Sequence, residues 1–331
     1  MKPEETLLLS RSEVARLLTI PDCIRAVEEM FRQLGDGKLP PPGILGIKSK
    51  QGGLHIKAAH LSGARDYIVA KLNTNFPRNR IDHGLPTIQG LIVVCDGVNG
   101  RPLAVLDSID LTIKRTAAAS AVAAKYLARP DSTLATICGC GQQAAAQLSA
   151  ICTILPLKEV YAFDSDPNAA KNFAVTLTQE FAFAIKPTRD LPSALQRSDV
   201  CITCTTATEF FVRKADVPAG IFIAAVGADD SHKQEIEPAL IAAAKVVADS
   251  LDQCSTIGDT HHAIATGLMR KEDVYAELSE IVAGKKPGRT SDDEITIFDS
   301  TGIALEDAVA AVAVYENAHN GATGSRFEFA A

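Results

Sequence analysis

The segment TLATICGCGQQAAAQL, residues 133–148, constrains the fold of this chain more than any other stretch. In it a β-branched run meets Gly139-x-Gly141-x-x-Ala144 and then an alanine-rich helical pattern, which is the G-x-G-x-x-G/A arrangement in its required setting. Gly139 permits a tight turn, Gly141 lets a pyrophosphate approach the backbone, and Ala144 lets the helix pack closely on the strand. The segment therefore predicts a dinucleotide-binding turn between a parallel strand and a helix.

The residues around this turn favour one cofactor. Gln142 and Gln143 begin the helix, where free N–H groups and the helix dipole face the phosphates. Asp164 follows the next β-patterned run about 25 residues after Gly139, close to the ~20 expected for the acid that binds the ribose hydroxyls. A carboxylate there repels the 2′-phosphate of NADP, and Ser165 stands where NADP-binding chains often carry Arg. We expect NAD rather than NADP, held by Gly139, Gly141, Gln142, Gln143 and Asp164.

The chain before the turn carries patterns of a different kind. SRSEVARLLTIPDCIRAVEEMFRQLGDGK predicts a helix that is capped by Ser10 or Ser12 and broken near Pro21. Three β-patterned stretches follow and predict an antiparallel meander with Asn99-Gly100 as a hairpin turn: GLHIKAAHL, DYIVAKLNTNF and TIQGLIVVCDGVNGRPLAVLD. TIKRTAAASAVAAKYLARPD then predicts an alanine-rich helix.

After Pro130 strand and helix patterns alternate up to the last long apolar stretch. Such alternation is typical of a doubly wound parallel sheet, so the fold class predicted is α/β. The stretch STGIALEDAVAAVAVYENAHNG predicts a final helix that is capped by Ser300 or Thr301.

Composition and charge exclude several classes of function. The 331 residues are 47% hydrophobic, enough for one or two cores, and the net charge of −7 comes with no run of Lys or Arg. Nucleic acid is therefore not expected as a partner. No apolar segment is long enough to span a bilayer, and MKPEETLLLS has no apolar stretch typical of a secretion signal. We expect no membrane association and a cytoplasmic location.

The eight cysteines predict neither disulfides nor a metal site. In a cytosolic chain thiols stay reduced and often serve as small buried residues. Cys201 and Cys204 form a CxxC, but in a strand-like run and not at a helix start, while Cys138 and Cys140 have no second pair at zinc spacing. No metal is predicted.

Five stretches together resemble the ornithine cyclodeaminase/mu-crystallin family in order and spacing: VAKLNTNFPRN, DSIDLTIKRTAAASA, the GCGQQ turn, VGADDSHKQEI and FDSTGIALED. The family includes ornithine and lysine cyclodeaminases, archaeal-type alanine dehydrogenase and ketimine reductases. The resemblance implies a Rossmann domain, residues 115–304, inserted into an α+β substrate-binding and dimerisation domain, residues 1–114 plus 305–331. It also implies a homodimer.

The resemblance carries site residues over to matching positions. Lys71 and Arg115 fall at the ligands of the substrate carboxylate, which suits the planar fork of Arg and the point charge of Lys. Asp229 falls at the catalytic acid, after a buried-looking strand, with Asp230 as the competing candidate. The cofactor side includes Thr205, Ser300 and Gly302, and Lys233 and Glu235 are expected only to brace the loop after Asp229.

One strand departs from the pattern of the ornithine cyclodeaminases. On the strand GGLHIKAAHL the family's acidic residue and its Met align with His55 and Lys57. Basic residues at these positions would repel the ammonium group of a diamino acid. They are either solvent-facing strand residues or ligands of a second polar or anionic group on the substrate.

The sequence therefore predicts an NAD-dependent enzyme that reduces a 2-imino acid or cyclic ketimine carboxylate, or runs the reverse amino acid dehydrogenation. Lys71 would hold the carboxylate and take part in catalysis, and Asp229 would exchange the proton on nitrogen. Two alternatives stay open: a cyclodeaminase that uses NAD without net redox change, and a small-ligand binding protein of the mu-crystallin kind.

Overall fold

The computed structural model describes these residues: 5–63, 65–181, 183–321 and 323–329. It divides into two compact units, the first formed by residues 1–115 with 303–331 and the second by residues 116–302. In the described residues the first unit has a seven-stranded sheet and the second an eight-stranded sheet. No helix in these ranges is both long enough and apolar enough to cross a membrane.

The elements follow one another along the chain in three groups. The first group is β1 (Thr6–Leu9), α1 (Arg11–Leu17), α2 (Ile20–Gly35), β2 (Gly43–Lys48), β3 (Gly53–Leu61), β4 (Tyr67–Asn75), α3 (Asn79–Asp82), β5 (Ile88–Asp96), β6 (Pro102–Asp107) and α4 (Ile109–Leu127). The second is β7 (Leu134–Cys138), α5 (Gln142–Cys152), β8 (Glu159–Phe163), α6 (Pro167–Thr178), β9 (Ala184–Pro187), α7 (Leu191–Arg197), β10 (Val200–Thr203), β11 (Phe222–Ala225), α8 (Pro238–Ile241), β12 (Lys245–Ala248), α9 (Leu251–Ile257), α10 (Asp259–Ala265), β13 (Ala276–Glu277), α11 (Leu278–Val282) and β14 (Thr296–Asp299). The third is α12 (Ala304–Asn320) and β15 (Ser325–Phe327).

The first sheet has the strand order β15-β1-β6-β5-β4-β3-β2. Strands β3 to β6 form the expected antiparallel meander, which β2 extends by one strand that was not predicted. Strand β1 runs parallel to β6 and antiparallel to β15. Helix α12 packs on one face of this sheet, and every second residue of β4 points to that face, including buried Val69 and Lys71. The alternate residues of β4, such as Ile68 and Ala70, point to the opposite face.

The N-terminal segment differs from its prediction in one way: the stretch before Ser10 forms strand β1, which was not predicted. The predicted break near Pro21 is confirmed, because α1 ends at Leu17, Leu18 and Thr19 are extended, and α2 begins at Ile20. Thr19 caps α2, and Pro21 lies in its first turn, where proline lacks only an N–H that the helix start leaves unpaired anyway.

The second sheet confirms the predicted doubly wound parallel arrangement. Its order is β13-β12-β14-β11-β10-β7-β8-β9, and every neighbouring pair is parallel. Counted from β7, its first five strands have the order 3-2-1-4-5, which is the nucleotide-binding order of Rossmann folds. Strands β10 and β11 are buried throughout, as expected for a parallel sheet covered on both faces. The order reverses between β7 and β10, so the ligand crevice of this unit is expected outside their carboxyl ends.

Candidate active site

The glycine turn lies at the carboxyl end of β7, beside β10. Gly139 has φ +89°, and a Cβ there would lie 2.8 Å from Thr205 Cγ2 and 2.9 Å from the Cys204 carbonyl oxygen. Only glycine suits a backbone with this dihedral angle and this close neighbour. Gly139 therefore lets the turn after β7 pack closely against the loop after β10.

Gly141 precedes α5 as its N-cap and faces open space. No atom lies within 4 Å of the position that a Cβ would take there, and Ala144 one turn later is fully buried. Gln142 is exposed and Gln143 is partly buried at the first positions of α5. The exposed helix start, with its unpaired N–H groups, has the shape and polarity that a pyrophosphate requires.

Asp164 follows β8 and ties the glycine turn to the next loop. Its Oδ2 accepts a hydrogen bond from the Cys140 N–H at 2.8 Å, and its Oδ1 accepts one from the Asp166 N–H at 2.9 Å. The carboxylate stands at the end of the second strand, where ribose hydroxyls are bound in this fold. These residues therefore fit an adenine dinucleotide.

Glu235 organises the loops after β10 and β11. It is fully buried, and its carboxylate accepts hydrogen bonds from the Thr203 hydroxyl, the Thr205 N–H and the Gly227 N–H at 2.7–2.8 Å. Burial raises the pKa of Glu235, while these donors oppose the shift. A Cβ on Gly227 would lie 2.4 Å from this carboxyl group, so the backbone approach requires glycine.

Further buried carboxylates continue this arrangement along the same edge of the sheet. Asp259 accepts hydrogen bonds from the Glu235 and Ile236 N–H groups, and Asp299 accepts from the Asp259 and Thr260 N–H groups. Burial raises the pKa of Asp259, and it raises that of Asp299 to about 7.

The loop that contains Ser300 and Gly302 is held by Asp249 at the end of β12. Asp249 accepts hydrogen bonds from the Thr301 N–H at 2.7 Å, the Gly302 N–H at 2.6 Å and both hydroxyl groups of Ser300 and Thr301. The prediction that Ser300 or Thr301 caps the final helix is wrong, because Ile303 is the N-cap of α12 and Gly302 has φ +77°. The hydroxyl groups are used to bind Asp249 instead.

Asp229 and Asp230 lie in an exposed loop after β11. The Asp229 side chain is 58% exposed and forms an ion pair with Lys233. Asp230 accepts a hydrogen bond from the His232 N–H at 3.0 Å. Asp229 is thus an accessible carboxylate near the carboxyl end of β11, where an acid can exchange protons with a ligand.

In the first unit, Lys71 and Arg115 both contact the carboxylate of Asp307. Lys71 Nζ lies 2.7 Å from Asp307 Oδ2, and Arg115 Nε donates to Asp307 Oδ1 at 2.9 Å. Arg115 Nη1 donates to Glu306 Oε2 at 2.8 Å. All four side chains are at least nine-tenths buried, and Lys71 also contacts Thr112 Oγ1 at 3.3 Å.

The charges in this cluster respond differently to burial. Burial lowers the pKa of Lys71 to about 8, although Asp307 opposes the shift. For Arg115, the carboxylates of Asp307 and Glu306 outweigh the effect of burial and raise its pKa above the usual value. Burial acts against ionised Asp307 as well, but Arg115 and Lys71 lower its pKa. The cluster is therefore built from charged groups, with Lys71 the one nearest to losing its proton at neutral pH.

His55 and Lys57 lie on the same face of the first sheet as Lys71. Lys57 is the cross-strand partner of Lys71, and His55 is that of Asn73. Lys57 is partly buried and His55 is exposed. The face predicted for the substrate thus carries three basic residues in neighbouring positions.

Comparison with known protein families assigns this chain to one of them. A model of the ornithine cyclodeaminase/mu-crystallin family matches residues 4–322. The chain belongs to this family. The resemblance on which the sequence predictions relied is therefore confirmed.

Members of the family that are similar to this chain include several oxidoreductases. Alanine dehydrogenase from Archaeoglobus fulgidus is 38% identical over 326 residues, covering 98% of this chain and 99% of the relative. An archaeal alanine dehydrogenase dimer with bound NAD has been solved, with a TM-score of 0.94, 38% identity and coverage of 98% of this chain and 99% of that chain.

Two imine reductases of the family have also been solved. Δ1-Pyrroline-2-carboxylate reductase of Thermococcus litoralis, in complex with NADH and L-proline, has a TM-score of 0.91, 34% identity and coverage of 97% of this chain and 99% of that chain. Iminosuccinate reductase of Paracoccus denitrificans, in complex with NAD+, has a TM-score of 0.91, 31% identity and coverage of 98% of this chain and 100% of that chain.

Sequence reasoning missed several acids that bind residues of the candidate site. Asp307 and Glu306 stand in the first turn of α12, where acids are common because they favour the helix dipole, so their type alone did not mark them. Asp249 follows directly after β12 and Asp299 is the last residue of β14, and this position at the end of a largely buried strand was a usable signal. In the described residues no group of three His, Cys, Asp or Glu is arranged to hold a metal ion.

Proposed function

We propose that this protein is an NAD-dependent oxidoreductase that reduces the C=N bond of a 2-imino acid or cyclic ketimine carboxylate to the L-amino acid, or runs the reverse oxidation. In the reductive direction C2 gains a hydride and the nitrogen gains a proton, so the C=N bond becomes CH–NH. The relatives that act on alanine, pyrroline-2-carboxylate and iminosuccinate support this class of reaction.

The observation that carries the proposal is that Lys71 and Arg115 both contact one carboxylate, that of Asp307, inside the first unit. Two buried cations directed at a single acceptor form a binding site for a carboxylate. We propose that they bind the 2-carboxylate of the substrate and so fix the position of C2. Lys57 and His55, on the same sheet face, would then contact the remainder of the substrate.

Asp229 is the proposed acid for the nitrogen. It is accessible, it follows a strand of the Rossmann unit, and its ion pair with Lys233 keeps a counter-charge beside it. In reduction it would deliver the proton to the imine nitrogen, and in oxidation it would receive that proton. Lys71, whose pKa burial lowers to about 8, is the second group proposed to take part in proton transfer.

NAD, when bound, would supply the hydride chemistry. We propose that Gly139, Gly141 and the first residues of α5, Gln142 and Gln143, hold its pyrophosphate, and that Asp164 binds the ribose hydroxyls. Thr205, Ser300 and Gly302 lie on loops fixed by Glu235 and Asp249 at the same edge of the sheet, and they would line the remainder of the cofactor site.

We also propose a homodimer formed through the sheet face opposite α12. A row of aliphatic residues crosses four strands there, each residue being the cross-strand partner of the next: Leu45, Ile56, Leu72 and Leu91. Leu45 and Leu91 are each 53% exposed, and an apolar patch of this kind is typical of an interaction surface. The dimeric alanine dehydrogenase supports a second copy of the chain as its occupant.

We propose a cytosolic location for the enzyme. All eight cysteines, each within the described residues, are free thiols, which is usual in a reducing compartment.

The proposed reaction is tested with purified enzyme on two panels. Pyrroline-2-carboxylate, piperideine-2-carboxylate and other imino acids are supplied with NADH, and L-amino acids with NAD, while absorbance follows the cofactor. We expect turnover in at least one panel. Asp229→Asn should lose roughly 100-fold or more in turnover, as expected for loss of a general acid, with NADH binding retained. Asp230→Asn, which removes the neighbouring exposed carboxylate, is the matched control and should stay near wild type.

The outcomes separate the alternatives. Ammonia release from a diamino acid without accumulation of NADH would identify a cyclodeaminase. Tight ligand binding without turnover in either panel would identify a binding protein. Full activity of Asp229→Asn together with loss in Asp230→Asn would transfer the acid role to Asp230.

A further inference from the structure

Asp307 contacts both cations proposed to bind the substrate carboxylate. Its two oxygens are divided between them, Oδ2 toward Lys71 Nζ and Oδ1 toward Arg115 Nε. Asp307 is 1% exposed and lies in the first turn of α12. No other carboxylate in the described ion pairs of the chain joins Lys71 to Arg115.

The three residues come from three elements that the fold brings together. Lys71 lies in the middle of β4 on the face that packs against α12. Thr112 and Arg115, three residues apart, share one face of α4, and Thr112 Oγ1 lies 3.3 Å from Lys71 Nζ. The N-terminus of α12 adds a favourable dipole to the negative charge of Asp307.

A purely structural ion pair is a costly solution at this position. Charged groups lose their hydration when buried, and apolar residues of similar volume often stabilise such a site as well or better. The neighbouring positions on this sheet face, Val69 and Ile92, are apolar and buried. The charges on Lys71, Arg115 and Asp307 therefore point to a role beyond packing.

We propose that Asp307 is a positioning residue of the substrate site. It orients the Lys71 ammonium and the Arg115 guanidinium so that both can bind the 2-carboxylate of the substrate, and it keeps Lys71 protonated. This inference rests on the proposed function, in which Lys71 and Arg115 bind the 2-carboxylate. Glu306 accepts a hydrogen bond from Arg115 at 2.8 Å, and Arg115 stays charged in either case.

The charged groups that face Lys71 decide the sign of the effect. They are Asp307 from α12, Arg115 from α4 and Lys57 from β3, while its β5 partner, Ile92, is apolar. Of the three, only Asp307 favours the protonated amine. Removal of its charge would leave a buried lysine beside two cations, so the pKa of Lys71 would fall further below its usual value.

The direct test is an NMR titration of enzyme labelled with 13Cε-lysine, in which the Lys71 signal is assigned by its loss in Lys71→Arg. We expect Asp307→Asn to lower the titration midpoint of Lys71 by roughly one to three pH units, the usual effect of losing one adjacent opposite charge. Glu306→Gln, which removes the neighbouring carboxylate that binds Arg115, should leave that midpoint unchanged.

Kinetics provide a second readout that a structural role would not change. The alkaline limb of kcat/KM should move to lower pH in Asp307→Asn and stay in place in Glu306→Gln. At pH values above that limb, Asp307→Asn should raise KM for the imino acid by roughly 10- to 100-fold, which is the effect of losing one charge-assisted hydrogen bond. The change in kcat should be much smaller.

A charge rescue keeps the test decisive if Asp307→Asn is too unstable to titrate. Lys57→Met removes a neighbouring cation and should raise the Lys71 midpoint, and the double variant Asp307→Asn/Lys57→Met should titrate below Lys57→Met alone. Equal Lys71 midpoints with and without Asp307 would overturn the inference. Absence of turnover in the wild type would instead refute the proposed function, while the NMR comparison would still decide the role of Asp307.

Discussion

Buried carboxylates bind backbone N–H groups at the edge of the Rossmann-type sheet. Glu235, Asp259, Asp299 and Asp249 each accept at least two hydrogen bonds from main-chain N–H groups. A carboxylate that is hydrogen-bonded in this way can stay buried, but ionisation still costs free energy. Because these carboxylates hold the loops proposed to line the cofactor site, the conformation of those loops should depend on pH.

Asp299 should make the stability of the protein depend on pH. Burial raises its pKa to about 7 in the folded state, so the native state holds a proton that the unfolded chain releases near pH 4. The stability that this proton provides is complete at pH values below the pKa of the carboxyl in the unfolded chain. It is lost as pH rises through about 7, the pKa of Asp299 in the folded state. The slope is at most ~1.4 kcal/mol per pH unit for one group.

The measurement is the urea midpoint of unfolding at pH 5, 6 and 7. The midpoint of the wild type should fall over this range, and Asp299→Asn should show a flatter dependence, since its side chain does not titrate. Asp292→Asn removes an exposed carboxylate and should keep the wild-type slope. If the urea midpoint of Asp299→Asn falls with pH as steeply as that of the wild type, another group carries the proton.

At this scale sequence reasoning identified residues whose role depends on their neighbours in the chain. Gly139, Gly141 and Asp164 belong to a local pattern with a known spacing, and the structure places them around one crevice. Asp307 is 192 residues from Arg115, so nothing local indicates that these two side chains meet. Such a contact follows from the tertiary fold alone.

At the scale of elements, the turn between β7 and α5 contains two glycines, Gly139 and Gly141, whose roles can be separated by substitution. In Gly139→Ala the new Cβ would meet Thr205 and the Cys204 carbonyl at a positive φ, so both stability and cofactor binding should suffer. The cost in stability should be about 1–3 kcal/mol, the usual range for such strain. NADH fluorescence is a convenient measure of binding because the chain contains no Trp.

Gly141→Ala is the matched comparison for this turn. Gly141 has φ −87° and open space around its Cβ position, so its variant should melt close to the wild type. The methyl group would nonetheless occupy the place where a phosphate approaches, and NADH binding should weaken. Equal effects of both substitutions on melting temperature would contradict this assignment of roles.

Elements with a strong period or composition were predicted well, whereas several short strands were not, among them β14 inside the second sheet. The strands from β3 to β6 and from β7 to β12, apart from short β9, were indicated by alternation or by β-branched runs. Strands β1 and β15 pair with each other across almost the whole chain, and β2 is an edge strand with every residue exposed. Their strand character depends on partners, which a single sequence does not reveal.

For the molecule as a whole, the apolar row on the first sheet should decide the oligomeric state. Leu45→Lys together with Leu91→Lys places two charges on the proposed dimer face at positions that are already half-exposed, so the fold should be kept. We expect the variant to elute as a monomer, measured by size-exclusion chromatography with light scattering.

Val98→Lys is the control for this experiment. Val98 is 84% exposed in the turn between β5 and β6, so the same change of charge there should leave the dimer intact. A wild type that is monomeric at micromolar concentration would contradict the proposed dimer directly.

The pairing of β1 with β15 has a consequence for biosynthesis. The Rossmann-type unit is one uninterrupted stretch, whereas the other unit draws α12 and β15 from the far end of the same polypeptide. As the nascent chain leaves the ribosome, the stretch up to residue 302 emerges before the segment that brings Glu306 and Asp307. Until then Lys71 and Arg115 lack the counter-charges that accompany them in the finished protein, so the unit that carries Lys71 is completed last although strands β1 to β6 are translated first.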